Sequence, residues 1–126
     1  MTLTKWFKRA VLVAVLGLTL PALASAHSVG LTFTKSTDDT GAAGQGYIAW
    51  RLSGTCPANV TTTAGFTSLN ATLFTGNTFT DSTVVPGNYC YIVTFTAASA
   101  QSVPSNTAGA LILPAAPTNV TVGSSN

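Results

Sequence analysis

The sequence predicts an all-β protein, a small sandwich of short strands, and three observations carry that prediction. Beyond residue 27 no window sustains a helical period of apolar residues. Thr, Val, Tyr and Phe, which suit a pleated and half-buried surface, dominate the same region, and Gly, Pro, Asn and Ser recur between their runs. Most informative is the stretch from Thr78 to Phe95. A short run there meets a Pro86-Gly87 turn and then alternates, so that Tyr89, Tyr91, Val93 and Phe95 share one face at the two-residue period of a strand. Such a pattern describes a packed sheet and not a catalytic centre.

Taken in order, the chain opens with a targeting segment. Lys5, Lys8 and Arg9 precede an apolar run from Ala10 to Leu20, a helix-breaking Pro21, and Ala24-Ser25-Ala26, which meets the small-x-small requirement of a signal peptidase. Residues 1–26 are therefore expected to form a signal peptide helix, cut between Ala26 and His27. The apolar run is shorter than the roughly 20 residues of a membrane span, which argues against an uncleaved anchor, and no Cys stands at the cut for a lipid. The expected location is extracellular, or periplasmic in a bacterium, with no stable membrane span after cleavage.

Residues 27–113 have the length of one small domain with a single core. Strands are predicted over 28–34, 46–53, 66–69, 77–80, 88–97 and 107–113. Ser36 to Gly44 is a polar, Gly-rich loop, Gly54 to Gly65 a second irregular stretch, and residues 114–126 a tail. The precursor carries a net charge of +2, but three of its five basic residues lie in the signal. The mature chain keeps Lys35 and Arg51 against Asp38, Asp39 and Asp81, a net charge of −1, so no basic surface supports binding to nucleic acid or anionic membrane.

The run from Thr78 to Phe95 resembles strands E and F of a fibronectin type III domain, where a Pro-Gly turn leads into a Tyr-x-aromatic-x-Val strand. His27 to Thr34 is similar to strand B of the bacterial members, with Phe33 where a Trp is usual. Gly46 to Arg51 resembles strand C, and Ser102-Val103-Pro104-Ser105-Asn106 the turn before the last strand. These motifs stand in family order and cover nearly all of residues 27–113. The resemblance implies an immunoglobulin-like β-sandwich and a secreted structural or adhesive role without a cofactor.

Strands C and F are antiparallel neighbours in that family, so the resemblance also implies a disulfide between Cys56, just after C, and Cys90, near the start of F. Tyr89 and Tyr91 would then face the core and Cys90 the outer side. The alternative for the two cysteines is a pair of free thiols.

The termini depart from the family pattern. Cleavage before His27 leaves no residues for a first strand A, while Pro117-Thr118-Asn119-Val120-Thr121-Val122 resembles the strand A that opens the following domain of a tandem array. The family topology would make a tail folding back on its own domain run parallel to strand B, whereas the tail of another molecule could pair antiparallel by strand addition. Asn119, Val120 and Val122 are thus candidates for strand donation to a second copy, and a remnant linker or a disordered end accounts for the same residues.

Catalytic and ligand-binding candidates are few. His27 as a mature N-terminus could chelate copper, but an oxygenase-type brace needs a second His and the chain has one, so the plain start of a strand is the stronger reading. Asp38-Asp39 lacks the spaced oxygens of a calcium loop. Gly41 to Gly46 is followed by no Lys-Ser/Thr and by a strand instead of a helix, which marks a flexible loop and not a phosphate cradle.

With one His and no Glu, nothing stands out as a base to activate Ser or Thr, and Asp81, expected in a turn, makes no carboxylate pair with Asp38 or Asp39. Asn59, Asn70 and Asn119 open sequons of the kind a Thr-rich chain produces by chance. The chain is thus expected to be a non-enzyme. Three functions follow: a secreted structural or adhesive interaction module, a self-assembling fibre subunit, or a carbohydrate-binding module using Trp50 and Tyr91, for which core packing is the commoner fate. The sequence names no particular protein or glycan partner.

Overall fold

A computed structural model describes residues 26–124, and it is all-β. Seven strands are formed: β1 His27–Thr32, β2 Gly46–Ser53, β3 Thr67–Ser68, β4 Thr78–Val84, β5 Gly87–Ala97, β6 Ala100–Gln101 and β7 Ala108–Ile112. β1 and β4 make a two-stranded antiparallel sheet. The second sheet runs β3-β2-β5, with β6 and β7 placed in succession along the far edge of β5. Every pairing is antiparallel.

The two sheets meet through the alternation that the sequence displays. Tyr89 and Tyr91 of β5, with Val84 of β4, form a buried cluster against which Val29, Leu31, Leu69, Ala110 and Ile112 pack. A second aromatic group continues this core toward one pole: Tyr47 lies 4.8 Å from Phe33, 5.2 Å from Phe95 and 5.9 Å from Phe74, ring centre to ring centre. Tilted rings at such spacings add to the area they bury. At the opposite pole the Tyr89 hydroxyl donates to the Val85 carbonyl at 2.9 Å and accepts from the Val85 N–H, which fixes the corner between β4 and β5.

Cys56 and Cys90 form a disulfide. Cys90 neighbours Tyr89 and Tyr91 and so points to the other face of β5, where the bridge ties it to the irregular chain after β2. Residues 1–25, which hold nearly all of the expected signal peptide including Ala24 of the expected cleavage site, lie outside the described residues, as do Ser125 and Asn126. Ala26 is exposed and His27 opens β1.

Three expectations about the strands need correction. β4 does not stop at residue 80 but continues to Val84, so Asp81 is a buried strand residue paired with Val29 and not part of a turn. β5 is followed by a hairpin into β6 that the turn residues did not announce. β1 ends at Thr32, two residues before the predicted limit, although the Phe33 N–H still donates to the Asn77 carbonyl.

A groove beside the open edge of β1

The edges of the larger sheet along β2 and β5 are closed with care, whereas the two-stranded sheet leaves the outer edges of both β1 and β4 without a described partner. On the outer side of β2, β3 covers only Trp50 and Arg51. Beyond them the Asn70 side chain substitutes for a strand: its Oδ1 accepts the Ala49 N–H at 2.9 Å and its Nδ2 donates to the Tyr47 and Thr72 carbonyls. Phe74 completes the edge by exchanging both backbone hydrogen bonds with Tyr47.

The far side of β5 is finished the same way. Between β6 and β7 the chain bulges at Val103-Pro104, and the hydroxyls of Ser102 and Ser105 accept the N–H groups of Phe95 and Val93, each at 3.0 Å. The N–H groups of the same two serines donate back to the Phe95 and Val93 carbonyls. Side chains thus stand in for a strand along these two edges, because a buried unpaired backbone group is expensive.

β1 has no such closure. It pairs with β4, and no other described strand or bridge lies along its second edge. Beside that edge is a groove of about 500 Å³ whose walls include Leu31 and Phe33, the inner face of β5 at Tyr91 and Phe95, and the chain around Pro104 and Ala108. No residue of β4 borders it, so the groove opens on the side of β1 that faces away from β4. The lining is mixed, with Leu31, Phe33, Val103 and Pro104 beside the hydroxyl residues Thr32, Thr34, Ser102 and Ser105. This is the chemistry of a slot for an extended peptide: main-chain bonds along an edge, with apolar side chains pointing inward.

The titratable groups near the core are engaged in holding it. Arg51 of β2 crosses between the sheets, its Nη1 2.8 Å from Asp81 Oδ2, while its guanidinium lies 5.2 Å above the centre of the Tyr89 ring. Asp81 also accepts from the Tyr91 hydroxyl at 3.0 Å and from the N–H and hydroxyl of Thr83. Burial works to raise the Asp81 pKa, but these donors outweigh it and hold the carboxyl below its ordinary value. Burial, reinforced by the Asp81 charge, pushes the Tyr91 phenol upward. Every oxygen of this cluster is occupied by a neighbour, and none is poised toward the groove as a base.

Asp38 and Asp39 do not make a cation site. Asp39 accepts from the Gly41 N–H and the Tyr47 hydroxyl and pairs with Lys35 at 3.4 Å. The first two bonds, chiefly that from Gly41, lower its pKa. Among the described residues no three His, Cys, Asp or Glu side chains gather as metal ligands. The loop holding Gly41 to Gly46 is organised around Gln45, whose Oε1 accepts from the Thr40 N–H and hydroxyl and from the Ala42 N–H. It is a hydrogen-bonded turn and not a phosphate cradle followed by a helix.

Among the sequon asparagines, Asn70 has its amide committed on both sides to backbone, as described above. Tyr91 is 2% exposed and offers no face to a sugar, and the half-buried Trp50 donates its indole N–H to the Thr94 hydroxyl at 2.9 Å.

The candidate donor residues lie apart from all of this. From Leu113 onward the described tail has no strand pairing, and Val120 and Val122 are 85% and 95% exposed. No protein-family model and no curated protein matches this chain. The groove was missed by the sequence reading because its walls come from β1, β5 and the Ser102–Asn106 bulge, and only the missing neighbour of β1 creates it. No helix among the described residues is long and apolar enough to cross a membrane.

Proposed function

We propose that the protein is a non-catalytic structural or adhesive interaction module of the fibronectin type III kind, exported from the cell, that takes an extended peptide segment as an added strand beside β1. The observation that carries this reading is the contrast between edges. β2 and β5 are closed down to single N–H groups by Asn70, Ser102 and Ser105, whereas the second edge of β1 is unpaired and borders a groove of mixed apolar and hydroxyl lining. An open edge beside a groove is a binding surface when the peptide presents side chains that fill it, and a hazard for indiscriminate pairing otherwise. The commitment of Asp39, Asp81, Tyr47 and Tyr91 to structural bonds supports the non-catalytic part, and the disulfide supports an oxidising compartment.

The test is selection of binders from a displayed library of random twelve-residue peptides, followed by amide hydrogen exchange. Selected peptides are expected to alternate apolar and polar residues and to slow exchange at residues 28–33 of the protein. Binders that protect only the Gly54–Gly65 loop, or the absence of any binder, would overturn this reading. Export has its own check: mass spectrometry of protein secreted by a bacterial host should find His27 as the first residue.

A further inference from the structure

We infer that the strand taken up beside β1 is residues 118–122 of a second copy of this chain, so that molecules join head to tail into a fibre. This inference rests on the strand-addition reading above and names its partner. Three observations converge on it.

The tail has the composition of an inserted strand and nothing covering it. Among the described residues Val85, Val103, Leu111, Leu113, Val120 and Val122 are the exposed large apolar side chains, and three of these six lie from Leu113 to Val122. Val120 and Val122 are two positions apart and so fall on one face of an extended chain, with Asn119 and Thr121 on the other. Pro114 and Pro117 have no N–H to offer an edge, so a pairing strand begins at Thr118. Asn119 holds the free tail in a left-handed kink at φ 57°, a conformation open to Asn, and this kink would straighten on pairing.

Chain direction decides which molecule receives the strand. Ile112 pairs with Gly87, just past the turn from Val84, and Val84 pairs with His27. The tail therefore leaves the domain at the pole where β1 begins. An antiparallel partner for β1 must arrive at the other pole, near Thr32 and Phe33, which is where the groove lies.

Within one molecule the four residues 114–117 span only about 12 Å as an extended Pro-rich spacer, while the six residues of β1 cover roughly 20 Å. The tail cannot travel the length of β1, reverse and then pair antiparallel with it. In a neighbour stacked pole to pole, the same short spacer delivers Thr118 to the Phe33 end at once. With Thr118 opposite Phe33, the antiparallel register sets Val120 opposite Leu31, which borders the groove, and Val122 opposite Val29 on the same face of β1.

Third, the geometry does not close. Donor and acceptor surfaces are different parts of the molecule at opposite poles, so each copy that accepts a strand still has its own to give. The low charge of the surface, two basic against three acidic residues from His27 onward, opposes such stacking very little.

The experiment compares the full chain, as secreted, with the double substitution Val120→Asp and Val122→Asp. Mass is read by light scattering across a hundredfold range of concentration, and folding by near-ultraviolet circular dichroism. The unsubstituted protein should form a concentration-dependent ladder of oligomers, and the variant should be a monomer with an unchanged spectrum. A synthetic peptide of residues 114–124 should then bind the monomeric variant, protect residues 28–33 from exchange, and shorten the oligomers of the unsubstituted chain.

Oligomers that persist in the variant would overturn the inference. So would an unsubstituted chain that stays monomeric throughout the range while the peptide fails to bind. If the library peptides of the preceding test still dock beside β1 in that case, self-donation alone has failed; if they also fail, the strand-addition reading falls with it. A tail bound parallel within its own molecule would appear as a monomer already protected at residues 28–33, and that result also overturns the inference.

Discussion

Asp81 shows how much a single side chain holds. Its two oxygens accept four donors, from Arg51, Tyr91 and twice from Thr83, inside a sheet interface where it is 3% exposed. Because the folded carboxyl titrates below its unfolded value, the stability it contributes is fully present above the unfolded pKa of about 3.9. That stability is lost as pH falls through the lower folded value. Urea midpoints should therefore drop steeply below about pH 4 in the unsubstituted protein. In Asp81→Asn this acid limb should flatten, with a small remainder from Asp39, whose carboxyl is also held low.

Tyr91→Phe removes one charge-assisted donor and is expected to cost roughly 1.5 to 3 kcal/mol at neutral pH. Arg51→Ala, which leaves the carboxylate without its counter-charge, should cost more, roughly 3 to 5 kcal/mol. Equal urea midpoints for Tyr91→Phe and the unsubstituted chain would show that the phenol bond contributes nothing. None of this was legible beforehand. An Asp flanked by Thr80, Ser82 and Thr83 carries the signals of a turn, and only the Arg crossing from β2 explains why it is buried.

At the level of elements, the sequence was most legible where alternation was long and least where a turn was unorthodox. β2 begins and ends at its predicted limits, Gly46 and Ser53, and β5 starts one residue early; both are rich in aromatic and aliphatic residues, and β5 is buried on both faces from Tyr89 to Ile92. The β5–β6 hairpin was missed. Its two turn residues, Ala98 and Ser99, have φ of 50° and 63°, the left-handed pair of a type I′ turn that usually announces itself as Asn-Gly. Two links hold the turn: Gln101 pairs with Thr96 across it, and its Nε2 donates to Thr94 Oγ1 at 2.7 Å.

Ala98→Asn with Ser99→Gly should relieve that strain and raise stability by about 1 kcal/mol. A thermal melt that moves downward would mean that Ala98 or Ser99 makes a contact worth more than the strain. Gly46 marks the opposite situation: a Cβ there would lie 2.7 Å from Leu73 Cβ and 2.9 Å from the Phe74 carbonyl. Gly46→Ala should therefore push Phe74 off the β2 edge and destabilise by roughly 1 to 3 kcal/mol, read as a lower urea midpoint.

For the molecule as a whole, the question is what keeps so small a sandwich folded when one of its sheets has only two strands. The buried apolar set is short, and β1 adds to it only the partly buried Val29 and Leu31. The covalent tie compensates. Cys56 and Cys90 are 34 residues apart, and closing a loop of that size stabilises by roughly 3 to 4 kcal/mol through the unfolded chain. That is a large fraction of the roughly 5 to 15 kcal/mol of net stability typical of a domain. The same bridge pins the irregular Gly54–Gly65 side to β5, close to Gly109 of β7, and so joins the middle of the larger sheet to the strand from which the tail departs.

Replacing both cysteines by Ala should accordingly lower the melting temperature by roughly 12 to 30 °C, while leaving the pairing of β2 with β5, which does not depend on the bridge, intact at low temperature. Loss of that pairing at 10 °C, read by far-ultraviolet circular dichroism, would show that the bridge is required for folding itself. A melting temperature unchanged by the double replacement would place the stability in the Asp81 cluster and the aromatic core instead. Those two outcomes separate a staple acting on the unfolded chain from a bond that organises the folded one.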